Sequence, residues 1–251
     1  MGRDQFWKDL MLKLTILHGF QVTENFVLDP MHTLLEGVVP FELHCILTQL
    51  VNVKGHFSMA DLNSRLHSFF EKNSVDKGNK PPTINPLQTS QTVLSPSMKA
   101  VQMWSLLKYL PLFTGNLVPA DDLHWLFLLQ LCELVDFVFA PKFTKGMVAY
   151  LREIISDHLR AFQSLCGHIC KLKPKRHFLL HMPTIILKNG PLVTMRCLCY
   201  EMKNSSFKKS AGVVCNLVNI CKTLAYRHQC NAFYLRLSKQ YLRMSSVTVG
   251  L

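Results

Sequence analysis

The chain has 251 residues, of which 49% are hydrophobic, enough for one substantial core or for two sub-domains sharing an interface, so a largely disordered chain is excluded. Its formal charge of +12 is unevenly laid: residues 1–141 hold 10 Lys+Arg against 13 Asp+Glu and residues 142–251 hold 18 against 3, so the two parts carry −3 and +15. Charge concentrated in this way repels itself and is matched by a polyanion, with nucleic acid ahead of an anionic membrane surface, or serves as a solubilising surface.

At the N-terminus Arg3, Asp4, Lys8, Asp9 and Lys13 interrupt every apolar run, so no targeting segment is expected and the expected compartment is nucleus or cytoplasm. Residues 24–28 read as a short strand that stops at Asp29-Pro30, a dipeptide suited to opening a helix with Asp29 as N-cap and Pro30 in the first turn. The helix would carry Met31, Leu34, Leu35, Val38 and Val39, bend near Pro40, and continue through Leu43, Ile46, Leu47 and Leu50 on one apolar face. A shorter helix fits 59–70. Residues 73–97 collect Lys, Asn, Ser, Thr and four prolines with little apolar periodicity, and are expected to form an exposed connection.

Helices resume with Ser95 as cap and Pro96 behind it, covering 98–110, 120–139 and 145–166, with Pro111, Pro119 and Pro141 as punctuation. The most apolar window, 123–140, contains His124, Glu133 and Asp136, which marks a buried helix rather than a membrane span. A basic linker at 171–176 leads to a short helical stretch, a break at Pro183 and a turn at Asn189-Gly190-Pro191; later helices fit 201–209, 211–227 and 232–243. No internal repeat is visible. The expected class is mainly α.

Three constellations bear on chemistry. Asp29 and His32 stand about one helical turn apart at a helix N-terminus, where they suit a phosphate, a water or a metal ligand, while Asp29 alone suits a cap. Glu201 is the single carboxylate after Asp157; on a helix, Ser205 and Lys208 share its face, so it is either an ion-pair partner or a metal ligand on a surface suited to phosphates. Two-metal phosphoryl transfer needs several converging carboxylates, which one glutamate cannot supply. Cys166, Cys170, His177 and His181 have paired spacings compatible with zinc, but their central gap is short and apolar helix flanks them, which fits structural cysteines and buried histidines; Cys197-x-Cys199 is a weaker pattern. The chain's nine cysteines lack a secreted-domain spacing and read as reduced thiols.

Four ordered blocks are similar to a known family. Leu28-Asp-Pro-Met-His-Thr-Leu-Leu-Glu-Gly-Val38, Lys173-Pro-Lys-Arg-His-Phe-Leu-Leu-His-Met-Pro183 with the following Asn189-Gly-Pro-Leu192, Glu201-Met-Lys-Asn-Ser-Ser-Phe-Lys208, and Leu224-Ala-Tyr-Arg-His-Gln229 resemble segments of CACTA (EnSpm) transposase-like proteins. The likeness runs from about residue 18 to residue 229. It implies the back part of an RNase-H-like core in which a helical insertion precedes the last acid of a DDE triad. Glu201 then corresponds to that third, metal-binding acid, and Asp29 and His32 to the accessory Asp-x-x-His motif. The two catalytic aspartates of the family have no counterpart among these blocks, and Asn204 stands where relatives commonly carry His, so a catalytically incomplete chain is expected.

On this reading residues 1–55 form a partial core, 56–170 the helical insertion with its loop at 73–97, and 171–251 the basic helices that return to the core. No cofactor is expected for the chain itself; Mg2+ or Mn2+ would serve a complete ancestor, and would meet Glu201 here only if the missing aspartates were supplied. The expected partner is DNA, bound non-specifically through Lys171, Lys173, Lys175, Arg176, Arg196, Lys203, Lys208 and Lys209, with a protein partner or homo-oligomer as a further expectation and no membrane. Two alternatives stand beside it: a helical protein-interaction module motivated by Trp104, Trp125, Phe127 and Phe139, rings whose helical spacing fits a core better than a surface, and a metal-dependent nuclease completed by another chain.

Overall fold

Asp29 opens the first helix as its spacing predicts: its carboxylate accepts from the backbone N–H groups of Met31 (3.3 Å) and His32 (3.1 Å), two donors the first turn leaves without helical partners. In the computed structural model, residues 27–237 are described except 73–75, 88–92, 95–96, 168–173 and 215–217. Most of the predicted strand at 24–28 lies outside this set, and no strand is present among the described residues, which are mainly helical. They divide into two units between Arg196 and Cys197.

Helix α1 spans Met31–Val53 and is the centre of the first unit. It is long and apolar enough to cross a membrane by composition, yet 72% of its most apolar window is buried inside the protein, as befits a core helix. Helix α1 packs against α3 (Ala100–Thr114), α4 (Leu123–Val138) and α6 (Pro174–Leu179). Helix α2 (Met59–Lys72) packs on α3, α4 pairs with α5 (Lys145–Cys166), and α7 (Met182–Asn189) covers α5. Leu34, Leu43, Ile46, Leu47, Leu50, Leu106, Leu128, Leu131 and Leu151 have no exposed surface, and burying each such side chain contributes roughly 1.5–3 kcal/mol.

Two prolines that were expected to bend or end helices lie inside them. Pro40 has no N–H for the Glu36 carbonyl, and α1 continues because its first part, Met31–Val38, is π-wound, with the Val39 N–H donating to the Leu34 carbonyl five residues back. The Glu36 carbonyl receives instead the ammonium of Lys175 on α6, at 3.2 Å. Pro111 deprives the Leu107 carbonyl in the same way, and there the Cys132 thiol on α4 donates at 3.6 Å. Burial, and then the nearby Asp136 carboxylate, push that thiol up to about 12, which keeps it a protonated donor. In both cases a side chain distant in sequence stands in for the missing N–H, so the break of about 3 kcal/mol that an interior proline usually imposes is softened.

The connection at 73–97 is not uniformly exposed. Ile84, Leu87 and Leu94 are buried, and the Asn63 side chain grips the Ile84 backbone through two hydrogen bonds of 2.9 Å. Such a clamp satisfies both backbone groups of a residue that has no ladder or helix to do so. The predicted start at Ser95-Pro96 lies outside the described residues, and α3 begins later, with Lys99 N–H capped by the Gln102 side chain. Asp122 and Thr144 cap α4 and α5. Pro183 sits in the first turn of α7 rather than ending a helix, and Gly190, at φ +86°, makes the expected turn after it.

The second unit contains α8 (Leu198–Val214) and α9 (Ile220–Leu237), which pack on each other. Each runs through boundaries expected from the sequence: α8 joins 201–209 to the start of the next segment, and α9 carries Arg227 and Ala232 without interruption.

Candidate functional site

The Asp29-x-x-His32 junction is closed on itself. Besides capping α1, the Asp29 carboxylate contacts His32 Nδ1, while His32 Nε2 lies 3.6 Å from the Glu36 carboxylate. Facing the next turn, Lys175 Nζ donates to the carbonyls of His32 (2.8 Å) and Glu36 (3.2 Å). Its stem lies over Gly37, where an added Cβ would come within 2.4 Å of Lys175 Cδ. Glycine at this position lets the Lys175 side chain lie close over the helix, and a larger residue would displace it. Lys175, expected to contact DNA, is instead joined to the α1 backbone.

Arg176 is likewise withdrawn from the surface on which it was expected. It is 2% exposed; its Nε donates to Glu42 Oε1 at 3.0 Å, and its guanidinium stacks over the Phe162 ring at 3.7 Å and the Phe41 ring at 4.4 Å. The other carboxylate oxygen of Glu42 receives His158 Nε2 at 2.8 Å, and His158 stacks on Phe127. Glu42 and His158 have no exposed surface, so a buried Glu–His–Arg triad ties α1, α5 and α6 together. Sequence reading missed this triad. Its signals were Glu42 amid the apolar residues of α1 and His158 on the apolar face of α5 that holds Leu151, Ile155 and Phe162, since buried ionisable groups are seldom unpaired.

Asp122 forms a second polar centre. Its carboxylate accepts from Lys54 Nζ (2.5 Å) and His56 Nε2 (3.1 Å) and from the backbone N–H groups of His124 and Trp125. Burial pushes the group up, but these hydrogen bonds outweigh it and hold the carboxyl well below the usual carboxylate range.

Of the four-residue zinc pattern, Cys170 lies outside the described residues, and Cys166 is fully buried as a structural cysteine would be. His177 and His181, read from the sequence as buried histidines, are instead exposed, with their Nε2 atoms 3.0 Å apart. Lys171 and Lys173 also lie outside the described residues.

Glu201, Lys203, Lys208 and Lys209 belong to the second unit, where all four are exposed on α8. The helix places Ser205 and Lys208 on the Glu201 face at the expected spacing. Arg196, the last residue of the first unit, is partly exposed. Trp125, Phe127 and Phe139 are buried and Trp104 meets Phe139 in a tilted contact at 4.7 Å, so these rings belong to the core, as their helical spacing favours over a partner surface. No family model, curated protein or solved structure matches the chain.

Proposed function

We propose that this chain derives from a CACTA-type transposase, retains part of an RNase-H-like catalytic domain without a complete acid triad, and binds DNA non-specifically. The observation that carries the DNA reading is the surface of the second unit. There Lys203, Lys208, Lys209, Lys222, Arg227 and Arg236 are exposed on two helices whose described residues include one acid, Glu201. Long cationic side chains on exposed helices contact phosphates by releasing condensed counterions, which requires no base readout. Arg176, buried against Glu42, is set aside from this reading, and the exposed cations of α8 and α9 support it. Access to DNA would place the protein in the nucleus. The ordered blocks that resemble the family support the ancestry, with Glu201 as a vestigial third acid.

A salt titration with a mixed-sequence duplex, read by fluorescence anisotropy, tests the binding. The logarithm of the association constant should fall linearly with the logarithm of salt concentration, and replacing Lys203, Lys208 and Lys209 together by Gln should reduce the slope by roughly 2 to 3. An affinity indifferent to salt, or a triple variant with the wild-type slope, would overturn this reading.

A second reading has its own support. Tyr200, Tyr226, Phe233, Tyr234 and Leu237 are each more than 60% exposed on α8 and α9, which suits contact with another protein better than do the buried aromatic rings of the first unit.

A further inference from the structure

Between the later turns of α5 and the start of α6 lies a cavity of about 530 Å3. Its polar lining consists of Ser156, Arg160, Gln163, Arg176 and His177, with Leu159 among its apolar walls. No Asp or Glu lines it among the described residues. Arg176 is the member that calls for explanation. Its Nε is committed to Glu42 and its plane to two phenylalanine rings, but Nη2 is buried without a hydrogen-bond partner.

A guanidinium nitrogen donates and does not accept, so the deficit at Nη2 can be met only by an acceptor. Glu42 takes Arg176 Nε on one oxygen and His158 on the other, and Nη2 bonds to neither. Around the cavity stand a second guanidinium, Arg160, which also pairs with Asp157 at 2.7 Å, and a hydroxyl, a carboxamide and an imidazole that can each donate or accept, the imidazole of His177 also meeting His181 at 3.0 Å. Two guanidiniums disfavour a cation there, whereas an oxyanion would meet donors and complete the coordination of Arg176.

We propose that this cavity is an oxyanion site for a phosphate group, with Arg176 Nη2 as its inner donor and Arg160 and His177 as outer contacts. Nη2 carries almost no accessible surface, so a phosphate in the cavity reaches it through a local movement of the lining side chains. None of its lining residues is among the cations of α8 and α9 proposed to contact DNA. Its ligand chemistry is that of free phosphate and of a phosphate monoester alike.

The test uses the purified full chain and inorganic phosphate, with ionic strength held constant by sodium chloride, and follows the arginine side-chain N–H resonances by NMR. The Arg176 Nε–H signal should shift and saturate. Arg160→Gln, on the exposed wall, should weaken binding roughly threefold to tenfold. Arg176→Lys keeps a cation beside Glu42 but removes Nη2 and should abolish saturable binding. Should that variant fail to fold, Gln163→Leu, which puts apolar bulk in the same wall, gives the same reading. A 5′-phosphorylated oligonucleotide that competes with inorganic phosphate, where its dephosphorylated form does not, would identify the monoester as a ligand. Shifts no larger than those given by chloride, or Arg160→Gln and Gln163→Leu titrating like wild type, would overturn the proposal.

Discussion

In the first unit, helices α1 to α7 bury their apolar faces and also their charged groups, with Glu42, His158 and Arg176 placed inside the core. In the second unit, no described side chain of α8 or α9 is fully buried, and large apolar residues such as Tyr200, Val213 and Phe233 remain exposed. Both regions are helical, but for different reasons. The first unit gains its helices from tertiary burial, strongly enough to carry Pro40 and Pro111 within them. The second spreads its apolar residues around each helix, so its helicity rests on local propensity and on the contact between its two helices. Functional surface is therefore to be sought where little is buried, and stability where almost everything is.

The largest effect expected from breaking this contrast is at Glu42. Removing the carboxylate by Glu42→Ala leaves Arg176 and His158 buried without their acceptor, and such a loss costs about 3–5 kcal/mol. Urea unfolding followed by circular dichroism should show a correspondingly lower midpoint. A variant as stable as wild type would show that water or a rearranged side chain reaches the triad, and the first unit would be less dry than its burial indicates.

A paired substitution sharpens the comparison. Leu131→Ala, at a site with no exposed surface, should cost about 2–5 kcal/mol, while Phe233→Ala, at a site 65% exposed, should stay within about 0.5 kcal/mol. Equal losses in the two variants would mean that the second unit buries Phe233 in solution, for instance against another copy of the chain, and the protein-contact reading would gain at the expense of the free hairpin.

The same contrast explains how much was legible in the sequence. Helix α5 could be read because a single apolar stripe fixes its period, α1 and α4 because long apolar runs bounded by caps and prolines mark buried helices, and Asp29 announces the helix it caps. The helix was expected to continue past Pro40 and does, whereas Pro111 was misread as a stop because the group that rescues its helix, Cys132, lies far away in sequence, where no local pattern reveals it. Arg176 was misread for a related reason: within a run of cations it looks like surface, and only the placement of Glu42 opposite draws it inside. The extent of α8 and α9 was blurred because, with few residues buried, their apolar pattern has no strong period to follow.

Asp122 gives a smaller effect that isolates charge from packing. Asp122→Asn keeps an oxygen to cap α4 through the N–H groups of His124 and Trp125, but removes the charge facing Lys54 and His56. A carboxyl held below its ordinary value of 3.8 contributes stability that is present above that value and is lost as pH falls through the lower folded value. At neutral pH the variant should therefore be less stable by about 1–2 kcal/mol. Below about pH 4 the wild type should lose this advantage, so the two stability curves should converge. Thermal unfolding of both proteins from pH 7 down to pH 2 checks the sign. Parallel curves would place the contribution of Asp122 in the neutral cap it shares with asparagine, and the ion pair with Lys54, itself partly exposed, would then add nothing to the first unit.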